Sequence, residues 1–74
     1  MENIENINEE QDYKIRLLIE YRNLATKIER LNYFIENKAK REGKYYELLC
    51  KQLKIMCDYE DILFSRICLE MGEE

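Results

Sequence analysis

Apolar side chains recur along residues 17–35 at alternating intervals of four and three positions. This spacing is typical of an α-helix that packs one side against another helix. The seam consists of Leu17, Tyr21, Leu24, Ile28, Leu31 and Ile35. Asn8 is a favourable N-cap ahead of the seam, and the basic residues Lys38, Lys40 and Arg41 suit the negative pole at a helix C-terminus. The pattern predicts a first helix over about 8–40, preceded by a frayed acidic segment at 1–7.

The second half of the chain carries two neighbouring apolar lines at helical spacing. The first line is Tyr46, Leu49, Leu53, Met56, Glu60, Leu63 and Ile67. The second line is Leu48, Gln52, Ile55, Tyr59, Ile62, Arg66 and Leu69. An apolar surface of this width exceeds what one partner helix covers. We therefore expect a second helix over about 44–71 that contacts its hairpin mate on one side and another protomer on the other.

Helix-breaking residues are confined to two places. The chain contains no proline, and its only glycines are Gly43 and Gly72. They indicate a turn at about 41–44 and a tail at 72–74. The predicted fold is all-α: one antiparallel two-helix hairpin domain over 8–71, coiled-coil-like, which assembles into an oligomeric helical bundle. A homodimer or tetramer is expected, since two hairpins forming a four-helix bundle are the simplest closed solution.

The small size of the chain strengthens the expectation of association. A single core in 74 residues supplies only about 3–5 kcal/mol of net stability, so such domains usually add disulfides, a metal or a partner. Cys50, Cys57 and Cys68 are an odd set without a CxxC pair, and the chain has no histidine. We therefore expect reduced thiols, no metal site and no cofactor. Association remains as the source of additional stability.

The net charge of −4 is unevenly distributed along the chain. Residues 1–12 carry five acidic and no basic side chains, whereas residues 13–41 carry eight basic and three acidic ones. The acidic total makes nucleic acid an unexpected partner, but the basic first helix is compatible with a small anionic ligand. The acidic N-terminus is unlike a signal peptide, and no apolar run approaches the roughly 18 residues of a membrane span. A soluble, cytoplasmic protein without a membrane partner is expected.

No catalytic group of residues is evident, so we expect a protein that is not an enzyme. The absence of histidine removes the commonest general base. The notable polar residues lie on the otherwise apolar second line: Gln52, Tyr59 and Arg66, spaced seven apart. They are candidates for holding a nucleotide, by amide hydrogen bonds, ring stacking and a phosphate contact. The alternative is an interface rim, where they set register and pack.

Two further candidates lie on the first helix. Lys27 and Arg30 are three positions apart and share a flank with Arg22, which would provide an anion site if a neighbouring protomer completes it. The alternative is a solvated helix face on which they pair with Glu20 and Glu29.

Two segments of the chain resemble a set of small phage and prophage helical-hairpin proteins. The first has the pattern LxxKIxxLxxFI and the second the pattern LLxxQLxxMxxYxxxLxxRI. The matching positions are Leu24, Lys27, Ile28, Leu31, Phe34, Ile35, Leu48, Leu49, Gln52, Leu53, Met56, Tyr59, Leu63, Arg66 and Ile67. The match covers roughly residues 20–68, and its polar members distinguish it from a generic coiled coil.

The resemblance implies a binding protein of the nucleotide-sponge type. Proteins of that type sequester the cyclic-nucleotide signals of bacterial immune systems such as CBASS and Thoeris, in the cytoplasm of an infected host. Lys27, Arg30, Gln52, Tyr59 and Arg66 would then bind a small anionic (cyclic) nucleotide between the helices of an oligomer. The alternative function is a structural or protein-interaction hairpin, which docks a phage or host protein through its wide apolar face.

Overall fold

A computed structural model describes residues 9–72 of the protein, with side chains from residue 12 onward. The chain forms two helices, α1 (Glu9–Asn37) and α2 (Lys44–Glu70), joined by a short turn. The helices pack side by side along their lengths and form a layer whose smallest dimension is 16 Å. The predicted all-α hairpin is therefore confirmed. The expected N-cap at Asn8 and the frayed segment at 1–7 lie outside the described residues.

The first helix ends at Asn37, whereas the sequence placed its end near Lys40. The amides of Lys38 and Ala39 both donate to the carbonyl of Phe34, at 2.8 and 2.9 Å. The Lys38 bond continues the regular i→i−4 ladder, and the additional Ala39 bond to the same carbonyl closes the last turn of α1. The basic residues expected at the helix end consequently belong to the turn.

The turn is held by side-chain and backbone hydrogen bonds. The Arg41 guanidinium donates to the Glu36 carbonyl at 3.0 Å, which satisfies one acceptor left over at the end of α1. Gly43 directly precedes α2 and has a φ of 95°, a conformation that favours glycine. Its carbonyl accepts the Glu47 amide at 3.1 Å and begins the second helix. Gly72, with φ 84°, follows the last turn of α2.

The core lies between the predicted seam of α1 and the first apolar line of α2. Leu17 and Leu24 of α1 cluster with Leu63 of α2, which is 0% exposed. This contact joins the first half of α1 to the second half of α2, as an antiparallel arrangement requires. Partly buried Tyr21, Ile28, Met56 and Ile67 pack around the cluster. Ile35 and Leu49 are buried as well, so the first apolar line of α2 faces α1.

The second apolar line of α2 is left uncovered by α1. Leu48, Ile55, Ile62 and Leu69, spaced seven apart and here called the apolar stripe, are 54%, 61%, 59% and 69% exposed. Gln52, Tyr59 and Arg66 alternate with them and are called the polar line. A single hairpin thus exposes a continuous apolar surface along one side of α2. Exposed apolar surface of this extent usually marks a contact with another molecule.

The opposite flank of α2 contains the three cysteines, each half-buried and with a free thiol. Beside them, the rings of Tyr21 and Phe64 meet at a centroid distance of 6.1 Å, within the range of favourable aromatic pairs. This flank is partly covered: the cysteines are half-buried, whereas Phe64 is 54% exposed. Over residues 9–72, neither helix is long and apolar enough to cross a membrane.

Candidate ligand-binding groove

An open groove runs along one flank of the hairpin, between α1 and the polar line of α2. It consists of two adjoining cavities of about 400 and 290 Å³, which share Arg16 and Glu20. We call it the flank groove. Its lining residues are Tyr13, Arg16, Leu17, Ile19, Glu20, Asn23, Leu24, Lys27, Tyr59 and Arg66. A volume of this order fits a small-molecule ligand rather than a single ion.

Helical spacing brings the polar groups of α1 onto this flank. Tyr13, Glu20 and Lys27 are seven residues apart and therefore lie in one row along the helix. Arg16 and Asn23, also seven apart, form a second row beside it. The first row borders the seam that packs on α2, and the second row lies on its outer side. The groove is consequently built by two regular helices, which hold its side chains on a rigid support.

Arg66 is held in place by Tyr13 from the opposite helix. Its Nη2 donates a hydrogen bond to the Tyr13 hydroxyl, and its guanidinium carbon lies 5.8 Å from the centre of the Tyr13 ring. A cation over an aromatic face is attracted by the negative charge density of the ring. Arg66 is half-buried, so these contacts fix a positive charge at one end of the groove.

The middle of the groove carries a more loosely held cation. Arg16 Nε is 3.3 Å from Asp12 Oδ2, and the two side chains are 69% and 54% exposed. An ion pair this exposed contributes little, and an anionic ligand can compete for the guanidinium. Arg16, Lys27 and Arg66 together outnumber the one carboxylate of the lining, Glu20. The groove is therefore positive in a chain of net charge −4.

The remaining lining groups supply contacts other than charge. The ring of Tyr59 is 41% exposed at the edge of the larger cavity, so one face is accessible to a planar ligand. The amide of Asn23 can both donate and accept hydrogen bonds. Ile19 and Leu24 add apolar surface to the cavity lining. The arrangement can stack a flat ring and bind an anionic group beside it.

The structure brings together three of the five residues proposed from the sequence. Lys27 and Tyr59 line the larger cavity, and Arg66 lines the adjoining one. Arg30 follows Arg16 and Asn23 in the second row but lies one heptad beyond the lining residues of the groove.

Gln52 also lies outside the flank groove of its own chain. Its Nε2 contacts the Met56 sulfur at 3.8 Å on the exposed side of α2. It lines a separate, largely apolar depression of about 430 Å³ together with Leu48, Lys51, Ile55 and Met56. The depression is continuous with the apolar stripe.

Tyr13, Arg16, Glu20 and Asn23 were not proposed from the sequence as ligand-binding residues. The seven-residue spacing of Tyr13, Glu20 and Lys27, and that of Arg16 and Asn23, was visible in the chain. What the chain did not show was the register between the helices, which places these residues opposite Tyr59 and Arg66. The core contact of Leu17 and Leu24 with Leu63 fixes that register.

The closed end of the hairpin has a smaller cavity of about 260 Å³. It is lined by Phe34, Lys38, Ala39, Lys40, Glu42, Tyr45 and Tyr46. A hydrogen bond with the Cys50 thiol, and repulsion from that group when it is ionised, raise the pKa of Tyr46 above its ordinary value of 10.0. Tyr46 is therefore uncharged at neutral pH, and the basic character of this end comes from Lys38 and Lys40.

The hairpin and its groove define a small all-α protein with a site suited to binding an anionic, ring-containing ligand. The sequence profile of one protein family, Sequestin, matches residues 11–69. The chain belongs to the Sequestin family. The name of that family indicates a protein that sequesters a ligand by binding it. No curated protein and no solved structure matches the chain.

Proposed function

We propose that this protein sequesters a small anionic nucleotide by stoichiometric binding, without turnover. The flank groove is the observation that carries the proposal. It combines an accessible tyrosine ring with three basic side chains and a neighbouring amide, which are the groups that hold a base and its phosphate. The family name, which denotes sequestration, supports a binding function of this kind.

The proposed ligand is a cyclic-nucleotide immune signal, and the proposed setting is the cytoplasm of a bacterium infected by a phage. The resemblance of the chain to phage hairpin proteins supports this setting. A protein that binds such a signal keeps it from the defence effector by mass action alone. Such a role requires tight binding and a high protein concentration, and it requires no catalytic group.

The roles of the groove residues follow from their positions. Tyr59 stacks on the base, and Arg66, positioned by Tyr13, contacts a phosphate at one end. Arg16 and Lys27 bind a second anionic group along the larger cavity. Arg30 and Gln52 contribute only if a second chain brings them to the ligand, so we propose a homo-oligomer as the functional form.

A thermal-shift and calorimetric titration tests the proposal directly. The protein is titrated with cyclic di-AMP, cyclic GMP–AMP and cyclic ADP-ribose. A ligand at one hundred times its Kd stabilises the folded state by about 2.7 kcal/mol, which raises the melting temperature of a domain of this size by about 10–20 °C. No shift and no heat of binding with any of these compounds at high micromolar concentration would refute the proposal.

Matched variants locate the site. Tyr59→Ala should weaken binding about fivefold to 150-fold, because a base–aromatic stack contributes about 1–3 kcal/mol. Tyr33→Ala is the control, since Tyr33 is 59% exposed and lies outside the groove lining. Equal losses for the two variants would place the ligand elsewhere.

A structural or protein-interaction function is the second candidate, and the exposure of the apolar stripe favours it. In that case the stripe docks a phage or host protein. Tyr59→Ala and Arg66→Ala would then weaken assembly and have no ligand to affect. Purification with one stoichiometric protein partner and no bound nucleotide would support this function over sequestration.

A further inference from the structure

The exposed side of α2 has nearly the same pattern when it is followed in either direction. The polar line and the apolar stripe alternate at intervals of four and three residues. From residue 48 to residue 69 the order is Leu, Gln, Ile, Tyr, Ile, Arg, Leu. The order of residue classes is thus a palindrome centred on Tyr59, with leucine at both ends, isoleucine on both sides of the centre and a polar residue in between.

We propose that a second copy of this chain packs its α2 antiparallel along this surface, about a two-fold axis beside Tyr59. We further propose that the partner subunit's Gln52 enters each flank groove next to Arg66. The first part stands on the surface pattern alone. The second part deepens the proposed nucleotide binding and rests on it.

The palindrome selects the antiparallel direction. In a parallel pair of identical helices, each residue meets its own copy, so Arg66 would face the partner subunit's Arg66 in the interface. In the antiparallel pair, Arg66 lies opposite the partner subunit's Gln52, and the two guanidinium groups are separated by about 20 Å of helix. Ile55 lies opposite the partner subunit's Ile62. The antiparallel pair therefore places isoleucine against isoleucine and keeps the two Arg66 guanidinium groups apart.

The residues beside the axis are compatible with this contact. Asp58, next to Tyr59, approaches its own copy across the two-fold axis. Its carboxylate is already paired with Lys54 of the same chain, Nζ to Oδ2, at 3.3 Å. The intrachain pair reduces the repulsion between the two carboxylates. Because of the two-fold axis, each contact away from the axis occurs twice in the dimer, as in closed homodimers generally.

The position of Gln52 follows from this assembly. Within one chain, Gln52 and Arg66 are two heptads apart, about 20 Å along the helix, and cannot contact one ligand group together. Across the two-fold axis they lie in the same or adjacent layers of side chains. The second copy also covers the open side of the flank groove at Tyr59, which is 41% exposed in the single chain. The partner thus completes a site that one hairpin leaves open.

Cysteine cross-linking tests the assembly without any ligand. The three native cysteines are replaced by alanine, and cysteine is introduced as Ile55→Cys in one preparation and as Ile62→Cys in another. A disulfide requires Cα atoms within about 7 Å. We expect a cross-linked dimer from the mixed chains and little from either variant alone. Rapid cross-linking of Ile55→Cys to itself would demonstrate a parallel contact and overturn the proposal.

The mass of the unmodified protein in solution provides a second, independent test. Native mass spectrometry should report a dimer or a multiple of it for the wild-type chain. Ile55→Glu should reduce the mass to that of one chain, because a carboxylate cannot be buried in the apolar stripe. Ile15→Glu is the control, since Ile15 is 49% exposed on α1, away from the stripe, and should leave the mass unchanged. A monomeric wild-type protein would overturn the proposal.

Complementation between two defective variants tests the shared site. The nucleotide used is one that raises the melting temperature of the wild-type protein. Gln52→Ala should lower the affinity for this nucleotide about fivefold to tenfold. Arg66→Ala should lower it more. A dimer with one chain of each kind contains one intact site and one doubly defective site. We expect this mixed dimer to bind at wild-type affinity with half the stoichiometry.

The outcomes separate the two proposals. If the mixed dimer binds no better than the two parent variants while wild type binds, the partner subunit's Gln52 is not part of the site. If wild type binds none of the nucleotides tested, the proposed function fails, and the cross-linking and mass measurements still decide the assembly.

Discussion

The core of the hairpin is small enough for one substitution to decide whether the protein folds. Leu63 is 0% exposed and packs against Leu17 and Leu24. Replacing a leucine in such a position by alanine costs about 3–5 kcal/mol, from the lost burial and the cavity left behind. The core of a chain this short supplies about 3–5 kcal/mol in total. We therefore expect Leu63→Ala to be largely unfolded at room temperature.

Urea denaturation followed by circular dichroism measures this loss. Leu18→Ala is the matched control, because Leu18 is 39% exposed and should lose about 1 kcal/mol or less. Equal losses in the two variants would refute the assignment of the core. The same titration at two protein concentrations shows whether unfolding is coupled to dissociation, since the unfolding midpoint of an associating protein rises with concentration.

Three further predictions concern individual contacts. Tyr13→Phe keeps the ring over Arg66 but removes the acceptor of its hydrogen bond, so nucleotide affinity should fall about fivefold in calorimetry, and an unchanged affinity would contradict the positioning role. Gly43→Ala should lower stability by about 1 kcal/mol in thermal melts, because φ 95° strains a residue with a Cβ although no atom lies near it. The pKa of Tyr46 is raised above 10.0 in the folded chain, so stability should decrease as pH rises past 10 and level off above the folded pKa. Cys50→Ala should return the pKa of Tyr46 toward its ordinary value, as measured by absorbance titration.

The fold was predictable because several independent features of the sequence indicate the same two-helix arrangement. The seam from Leu17 to Ile35 has no interruption, and the two glycines stand at Gly43 and Gly72, beside the ends of α2. The exposure of the apolar stripe also follows from the sequence, since two apolar lines on one helix cannot both face a single partner. The end of α1 differs by a few residues because the closing hydrogen bonds to Phe34 depend on the path of the turn.

The candidate site was less predictable, since it depends on a relation between the helices. Helical periodicity places Lys27 and Tyr59 each on a flank of its own helix, but it does not show that the two flanks meet. Arg16 was not among the residues proposed from the sequence, and only the register between the helices places it across from the polar line. Gln52 was chosen from its row alone, and the structure shows that a row can extend beyond the groove it borders.

The interleaving of core and groove positions on α1 has a consequence for how this protein can evolve. Leu17 and Leu24 hold the helices together, whereas Glu20 and Lys27, three positions after each, face the groove. Under the proposed function, a codon change at either groove position alters the ligand preference without removing a core contact. A lineage built on this scaffold can follow a ligand that changes its chemistry, one substitution at a time.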